Sequence, residues 1–131
     1  MKNNKQILVT GGAGFVGTNL IKLLLKKTSY KIVSIDNYTS GTKLNHIRSS
    51  RVKYIKGNTA NISKFVKNPN KIKTIFHFGE FARIYQSFLK MDQCIESNSI
   101  GTNAIFNFCL KHKVKLIYSA TSASLGNKGN D

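Results

Sequence analysis

The amino-acid sequence predicts an α/β fold, a doubly wound parallel sheet of about five strands with helices on both faces. Two observations predict this fold class. Short apolar segments alternate with segments of helical periodicity, as in right-handed βαβ crossovers. The segments "ILV", "IVSI" and "TIFHF" are also apolar on both strand faces, as a sheet covered by helices on each side requires.

The predicted elements alternate along the whole chain. Strands are expected at residues 6–10, 31–36, 52–56, 74–78 and 115–119. The first helix places four apolar residues on one face, namely Val16, Leu20, Leu23 and Leu24. A short helix at Ile62, Phe65 and Val66 should stop before the turn at Pro69. A longer helix of about four turns follows the pattern Ile95, Asn98, Thr102, Ile105, Phe106 and Cys109.

Length and composition indicate one soluble domain. The chain has 131 residues, 40% of them hydrophobic, and no apolar run approaches the ~20 residues that span a bilayer. The N-terminal segment passes directly from a short apolar stretch into glycines, which is a poor signal peptide. Cys94 and Cys109 lack metal-site spacing, so we expect two reduced, buried thiols, no metal site and a cytoplasmic location.

The chain is strongly basic, with 21 Lys and Arg residues against 5 acidic residues and a formal net charge of +16. Such a balance can indicate a nucleic-acid or anionic membrane partner. The lysines, however, are spread over several elements and form no cluster interleaved with aromatics. We interpret them as a solvated surface, and expect no specific nucleic-acid site and only weak attraction to polyanions at low salt.

The segment "ILVTGGAGFVGTNL" carries the strongest functional signal. Gly12, Gly14 and Gly17 spell GxGxxG, and Gly11, Gly14 and Gly17 spell TGxxGxxG with Thr10. In this pattern the first glycine permits a tight turn, the middle one lets the backbone approach a pyrophosphate, and the last lets the helix pack against the sheet. The phosphates then lie at the helix N-terminus, where free N–H groups face them.

Asp36 ends the second strand about twenty residues beyond the last glycine, the distance at which an acid binds the adenosine ribose. A carboxylate there would repel a 2′-phosphate, and Asn37 and Tyr38 follow in place of an Arg. The glycine loop and this acid therefore predict a Rossmann-type domain that binds NAD in preference to NADP. The alternative is that Asp36 only caps a turn in "DNYTSG".

Six segments in order resemble the extended short-chain dehydrogenases/reductases, in particular the NAD-dependent epimerase/dehydratase family that acts on nucleotide sugars. They are "TGGAGFVG", "IDNYTSG", "KGNTAN", "TIFHFGEFA", "ESNSIGTNAIFNFC" and "IYSATSASLG", and together they cover essentially the whole chain. The resemblance implies a nucleotide-sugar substrate, an NAD cofactor and a homodimeric full-length enzyme. It leaves open which sugar is bound and whether the reaction is epimerisation, dehydration or reduction.

The resemblance also implies where the cofactor would lie. The pyrophosphate would be lined by Gly11, Gly14, Phe15 and Val16. The adenosine ribose would be held by Asp36 and Asn37, with Ser40 and Gly41 nearby, and the adenine would be flanked by Asn58 and Thr59. The remaining contacts implied are Phe78 and Gly79 beneath the ribose and phosphates, Asn98 on the long helix, and Ser119 and Ala120 at the nicotinamide.

The hydroxyl cluster after the fifth strand raises the question of catalysis. Thr121 falls on the family's catalytic Ser/Thr, whose hydroxyl binds the reacting sugar oxygen, whereas Ser122 and Ser124 can instead satisfy loop backbone. His77, inside the apolar strand "TIFHF", is interpreted as a hydrogen-bonded core residue rather than a catalytic one.

Three positions depart from the family pattern. Asn58 stands in place of the usual Asp, and its amide can still pair with adenine. Glu80 stands in place of a small residue and brings a carboxylate near the cofactor phosphates, which is unfavourable if it points inward. Leu125 stands in place of the usual Tyr before Gly126.

The family's base is a Tyr assisted by a Lys four residues later, because a phenol with a pKa near ~10 needs a nearby cation to act as a base at neutral pH. None of the five tyrosines here has a Lys four positions on. We therefore expect residues 1–131 to be a C-terminally truncated NAD-binding domain that lacks its substrate domain and is inactive alone. The alternative is a stand-alone, non-catalytic dinucleotide-binding module, and the coding sequence beyond Asp131 distinguishes the two.

Overall fold

A computed structural model of the chain describes residues 5–121. Five strands form one parallel sheet, and their bounds are Gln6–Thr10 (β1), Lys31–Asp36 (β2), Val52–Lys56 (β3), Ile72–His77 (β4) and Lys115–Tyr118 (β5). The strand order is β3-β2-β1-β4-β5. The chain thus crosses the sheet after β3 to pair β4 with β1, which creates a switch point between β1 and β4. Ligands of such sheets bind at the carboxyl ends of the strands beside that point.

The helices fall into the connections between these strands. They are Phe15–Lys27 (α1), Ile62–Phe65 (α2), Ile84–Leu89 (α3), Met91–Ile95 (α4) and Thr102–His112 (α5), with a π-helical turn at Glu96–Gly101 between α4 and α5. Short 3₁₀ turns occur at Lys43–Asn45, Thr59–Asn61 and Pro69–Lys71. No helix within residues 5–121 is long and apolar enough to cross a membrane.

Alternate residues of β1 enter two separate cores, which confirms the expectation that both sheet faces are covered. Leu8 packs in a cluster with Ile105 and Phe108 of α5, on the face that α2 also covers. Ile7 and Val9 pack instead against Ile21 of α1, on the other face. The all-parallel sheet and the two cores confirm the predicted fold class, and the boundaries of the first three strands are those expected from the sequence.

The predicted buried face of α1 is wrong in part. The helix buries Gly17, Thr18, Ile21 and Leu24, whereas Val16 and Leu23 are 57% and 52% exposed. The reason is the close approach of the last loop glycine to the strand end, since a Cβ at Gly17 would lie 2.2 Å from the carbonyl oxygen of Gly11. This contact turns the face of α1 that contains Gly17, Ile21 and Leu24 toward the sheet.

The last two strands differ slightly from their expected bounds. β4 starts two residues before the predicted residue 74 and ends at His77, because Phe78 already turns away and donates its N–H to Thr10 of β1. β5 ends at Tyr118, one residue short of the prediction. The short helix α2 contains Ile62 and Phe65 but not Val66.

The long helix appears at the predicted position, interrupted by the π-helical turn. Gly101 ends that turn, and a Cβ there would lie 2.2 Å from Thr59 Oγ1, so the helix is packed tightly on the segment after β3. Sequence reasoning missed α3, whose apolar residues Ile84, Phe88 and Leu89 are all exposed. Both cysteines are free as expected, but Cys94 is only half-buried, contrary to the expectation, because it lies on the outer helix α4.

Ser34 is an energetic weak point of the sheet. Its side chain is fully buried, and its Oγ has no hydrogen-bond partner among the described residues. A buried hydroxyl without a partner costs about 1–3 kcal/mol. We therefore predict that Ser34→Ala raises the free energy of unfolding by about 1 kcal/mol, measured by chemical denaturation.

The matched control is Thr10→Val in the neighbouring strand, because the Thr10 hydroxyl contacts His77 and two backbone N–H groups. That variant should lower the free energy of unfolding. A Ser34→Ala protein that is less stable than the wild type would contradict the assignment of an unsatisfied hydroxyl.

Candidate cofactor-binding site

The loop between β1 and α1 has the geometry that its glycines require. Gly11 has a φ of +69°, and a Cβ there would lie 2.7 Å from the carbonyl oxygen of Phe78, so only glycine fits. Gly14 caps α1 in an extended conformation without a side-chain hydrogen bond, and the first turn of the helix contains no acid. The N-terminal N–H groups of a helix have no intrahelical partner, so this end can accept an anion.

Asp36 connects the glycine loop to the end of β2. Its Oδ2 accepts the N–H of Ala13 at 2.9 Å, and its Oδ1 accepts the N–H of Tyr38 at 2.8 Å. The second bond is the turn cap that the sequence left as an alternative, and it supports Tyr38 at a φ of 61°. Each oxygen of a carboxylate has two acceptor positions, so capping the turn leaves Asp36 able to accept ribose hydroxyls as well.

The segment after Asp36 is also tied to the glycine loop. The carbonyl of Ala13 accepts both the backbone N–H of Thr42 at 3.2 Å and the side-chain amide of Asn45 at 2.8 Å. Gly41 lies so close that a Cβ would be 3.0 Å from Ala13. Asn37 Oδ1 accepts the N–H and the hydroxyl of Thr39. These bonds place Ser40 and Gly41 opposite the helix N-terminus.

The end of β3 forms the next part of the wall. The N–H of Gly57 bonds the carbonyl of Asp36 at 3.0 Å, and Thr59 is buried one turn later. Asn58 Oδ1 caps the following 3₁₀ turn by accepting the N–H of Ala60 at 3.0 Å. The amide nitrogen of Asn58 has no part in that cap and can still pair with a base.

A chain of hydrogen bonds crosses the core behind the site. Thr10 Oγ1 accepts the N–H groups of Phe78 and Gly79 and lies 2.6 Å from His77 Nδ1. His77 Nε2 lies 2.9 Å from Thr102 Oγ1, which donates to Glu80 Oε1 at 2.9 Å. His77 is fully buried, so its interpretation as a satisfied core residue is confirmed.

The directions of these bonds fix the tautomer of His77. Two N–H donors occupy both lone pairs of Thr10 Oγ1, so its hydroxyl must donate to Nδ1. The hydroxyl of Thr102 donates to the carboxylate of Glu80, which can only accept, so Nε2 carries the proton and donates to Thr102. Burial lowers the pKa of His77, and the imidazole is therefore neutral with its proton on Nε2.

Asn98 holds the loop after β4 in place. Its Oδ1 accepts the N–H of Phe81 at 2.6 Å, and its amide donates to the carbonyl of Phe81 at 3.0 Å. These two bonds give Asn98 a structural role, because they fix the backbone of Phe81 against the long helix. The neighbouring Ser97, rather than Asn98, lines the cleft beside the glycine loop.

The end of β5 lies beside β4, where the N–H of Ser119 bonds the carbonyl of His77 at 3.3 Å. Ser119, Ala120 and Thr121 are exposed and line neither of the two clefts below. Ser122, Ser124 and Leu125 lie outside the described residues.

Two clefts at the carboxyl ends of the strands gather most of the predicted cofactor contacts. The first cleft is lined by Gly11, Gly14, Asp36, Asn37, Ser40, Gly41, Phe78 and Gly79. The second shares four of these residues and adds Thr59. The predicted contacts that line neither cleft are Phe15, Val16, Asn58, Asn98, Ser119 and Ala120. Phe15 and Val16 are the first two residues of α1, and their side chains are exposed. Only their backbone N–H groups are therefore available to a ligand at the helix N-terminus.

Sequence reasoning missed four residues of the clefts, namely Ile35, Thr39, Gly57 and Ser97. The position of Thr39 could have been predicted, because Asn side chains often accept the backbone N–H two residues along in an Asx turn, as Asn37 does here. Ser97 has no comparable signal, because it reaches the cleft only through the π-helical turn. The larger cleft at the opposite end of the strands, lined by Lys31, Lys53 and Lys71, contains none of the predicted contacts.

The fold and the cleft define a dinucleotide-binding α/β domain with a glycine loop, an uncapped helix N-terminus and an acid at the end of β2. The chain belongs to the NAD dependent epimerase/dehydratase family, whose sequence model matches residues 7–131.

Comparison with individual proteins agrees with this family. The chain is 33% identical over 130 residues to the ADP-L-glycero-D-manno-heptose-6-epimerase of Brachyspira hyodysenteriae, covering 95% of this chain and 39% of that protein. The UDP-N-acetylglucosamine 4-epimerase of Methanobrevibacter ruminantium is 27% identical with a TM-score of 0.82, over 96% of this chain and 41% of that one. The Bordetella bronchiseptica enzyme WbmF, solved with NAD+, shares the fold at 23% identity and a TM-score of 0.84, over 98% of this chain and 40% of that one.

The buried His77 predicts a pH dependence of stability. A folded-state pKa below the ordinary value means that the unfolded chain binds the proton more readily, so stability is lost as the pH falls below about 6.5. A protonated ring would also find no acceptor at Thr10, whose oxygen already accepts two N–H groups. Chemical denaturation at several pH values should show that the free energy of unfolding of the wild type falls below about pH 6.5, and that it falls less steeply with pH in His77→Gln. The same dependence of the free energy of unfolding on pH in both proteins would contradict this role of His77.

Proposed function

We propose that this chain binds NAD in the two clefts and forms the NAD-binding N-terminal part of a nucleotide-sugar epimerase or dehydratase. The observation that carries the proposal is the pair of bonds from Asp36 to Ala13 and Tyr38. They hold a ribose-binding carboxylate against a loop that leaves a helix N-terminus open to an anion. The glycine cradle supports the fit, because a Cβ at Gly11 would collide with Phe78.

In the proposed arrangement the pyrophosphate lies over Gly11 and Gly14, and the backbone N–H groups of Phe15 and Val16 point toward it. Asp36 accepts the hydroxyls of the adenosine ribose, and Asn37, Ser40 and Gly41 enclose that side. The negative charge of Asp36 disfavours a 2′-phosphate, so we propose NAD rather than NADP.

The remaining residues contact the dinucleotide on either side of the adenosine ribose. Asn58 and Thr59 flank the adenine at the end of β3. Phe78 and Gly79 lie beneath the ribose and phosphates, and Asn98 positions the loop that follows them through Phe81. Ser119 and Ala120 border the nicotinamide at the end of β5.

NAD supplies the hydride acceptor for a sugar carbon. The role we propose for this chain in that chemistry is limited to Thr121, whose hydroxyl would bind the reacting sugar oxygen. The substrate is a nucleotide sugar, consistent with the heptose epimerase that this chain resembles. The chain covers 39% of that protein, and we propose that the whole enzyme is a cytoplasmic homodimer.

The first test is NAD binding measured by calorimetry. Asp36→Ala removes the ribose acceptor, and Gly14→Val places a side chain where the pyrophosphate approaches. Each variant should weaken NAD binding at least about tenfold, a loss of about 1.4 kcal/mol. Full binding by both variants would overturn the cofactor assignment.

Two controls separate binding from folding. Gly14 is extended, with φ −83°, so other residues can adopt its conformation, and circular dichroism should show a folded Gly14→Val protein. Asp36→Asn keeps one acceptor for the backbone N–H groups but loses the charge, so it should retain more stability than Asp36→Ala.

The second test concerns catalysis by residues 1–131. Because no Tyr in this sequence is followed four residues later by Lys, we expect NAD to bind without turnover of a nucleotide sugar. Incubation with UDP-glucose, UDP-N-acetylglucosamine or dTDP-glucose should produce neither NADH absorbance nor an epimerised sugar. Multiple turnovers of any of these substrates would show that another residue of this chain acts as the base.

A further inference from the structure

Glu80 brings a second carboxylate into the cleft proposed for the pyrophosphate. The cleft is lined by Gly11, Gly14, Asp36 and Glu80 among others, and the two charged residues that line it among residues 5–121 are both acids. Although the sequence contains 21 Lys and Arg residues, none of those within residues 5–121 lines this cleft. Backbone N–H groups and the N-terminus of α1 are therefore the positive groups available to an anion there.

Two hydroxyl groups hold the Glu80 carboxylate in position. Its Oε1 accepts the hydroxyl of Thr102 from α5 and the phenol of Tyr118 from β5, each at 2.9 Å. The hydrogen bond to Glu80 is the largest cause that raises the pKa of Tyr118, and burial adds to it, so the phenol remains a donor. The backbone is fixed as well, since the N–H of Glu80 bonds the carbonyl of Phe78 at 2.9 Å. The carboxylate cannot leave the cleft wall without breaking both side-chain bonds.

A carboxylate fixed in this position opposes a bound pyrophosphate. Like charges that share a site with no cation between them disfavour simultaneous ionisation. We infer that Glu80 is an affinity-determining residue of the cleft, whose negative charge weakens NAD binding. This inference rests on the proposed function, because it takes NAD as the ligand of the cleft.

The other groups that face Glu80 remain unchanged in a Glu80 variant. His77 behind it is neutral because burial lowers its pKa, and Tyr118 beside it stays protonated because its pKa is raised. Asp36 lines the same cleft, and Glu96, on the π-helical turn, is exposed to solvent. The difference in NAD affinity between the wild type and a Glu80 variant therefore isolates Glu80.

The test is calorimetric titration of NAD into the wild type, Glu80→Gln and Asp92→Asn at about pH 7.5. Gln can accept the same two hydroxyl bonds without the charge. Asp92→Asn makes the same change in net charge at an exposed residue outside the cleft. We expect Glu80→Gln to bind NAD about tenfold more tightly than the wild type, and Asp92→Asn to bind like the wild type.

Glu80→Ala serves as a second variant, because it removes the charge without requiring the Gln rotamer. It should also bind more tightly than the wild type, provided that circular dichroism shows a folded protein.

The outcomes separate this inference from the proposed function. Equal affinity of the wild type and Glu80→Gln for NAD would overturn the role of Glu80 alone. Weaker binding by both Glu80 variants would also overturn it and would indicate a favourable contact with the ligand. Failure of all the folded proteins to bind NAD would instead overturn the proposed function, and the inference with it.

Discussion

The cleft depends on the Asp36 carboxylate, which holds two backbone segments that are far apart in the sequence. A carboxylate buried to 8% exposure needs donors around it, and here both are backbone N–H groups, from Ala13 and Tyr38. Because one donor belongs to the glycine loop and the other to the turn after β2, the two walls of the cleft keep a fixed spacing. The proposed ribose site and the turn cap are thus two uses of the same side chain.

A second network, centred on His77, holds the opposite wall. Thr10 lies at the end of β1, and its hydroxyl group connects the first strand to the backbone of Phe78 and to the ring of His77. The same chain continues through Thr102 to Glu80. A buried network of this kind is stable only when every polar group in it has a hydrogen-bond partner. The hydrogen bonds of Thr10, His77 and Thr102 meet that condition. The position of Glu80 in the cleft is therefore a consequence of the core beneath it.

Much of this structure could be predicted from the sequence because it depends on local patterns. Apolar segments of strand length define the sheet, and the spacing of Gly11, Gly14 and Gly17 defines the loop. The predictions failed where a tertiary contact overrides the local pattern. The packing of Gly17 on Gly11 turned α1 away from the face that its leucines suggested, and contact with Thr59 accompanies the π-helical turn that brings Ser97 to the cleft.

The sign of Glu80's effect could not be read from the sequence either, because it depends on where the side chain points. Position alone allowed a solvent-facing carboxylate, and only the hydroxyls of Thr102 and Tyr118 hold it at the cleft wall.

The overall charge and the local charge of this protein act in opposite directions on an anionic ligand. A net charge of +16 creates a positive field that raises the rate of encounter with a dinucleotide and weakens with salt. In the part of the chain that the structure describes, the charged residues of the cleft are Asp36 and Glu80. The lysines that open strands, such as Lys31 and Lys115, lie at the other end of the sheet. Binding strength must therefore come from short-range backbone donors at the glycine loop, which salt screens much less. On this distribution of charge, salt should slow association more than it weakens the bound state.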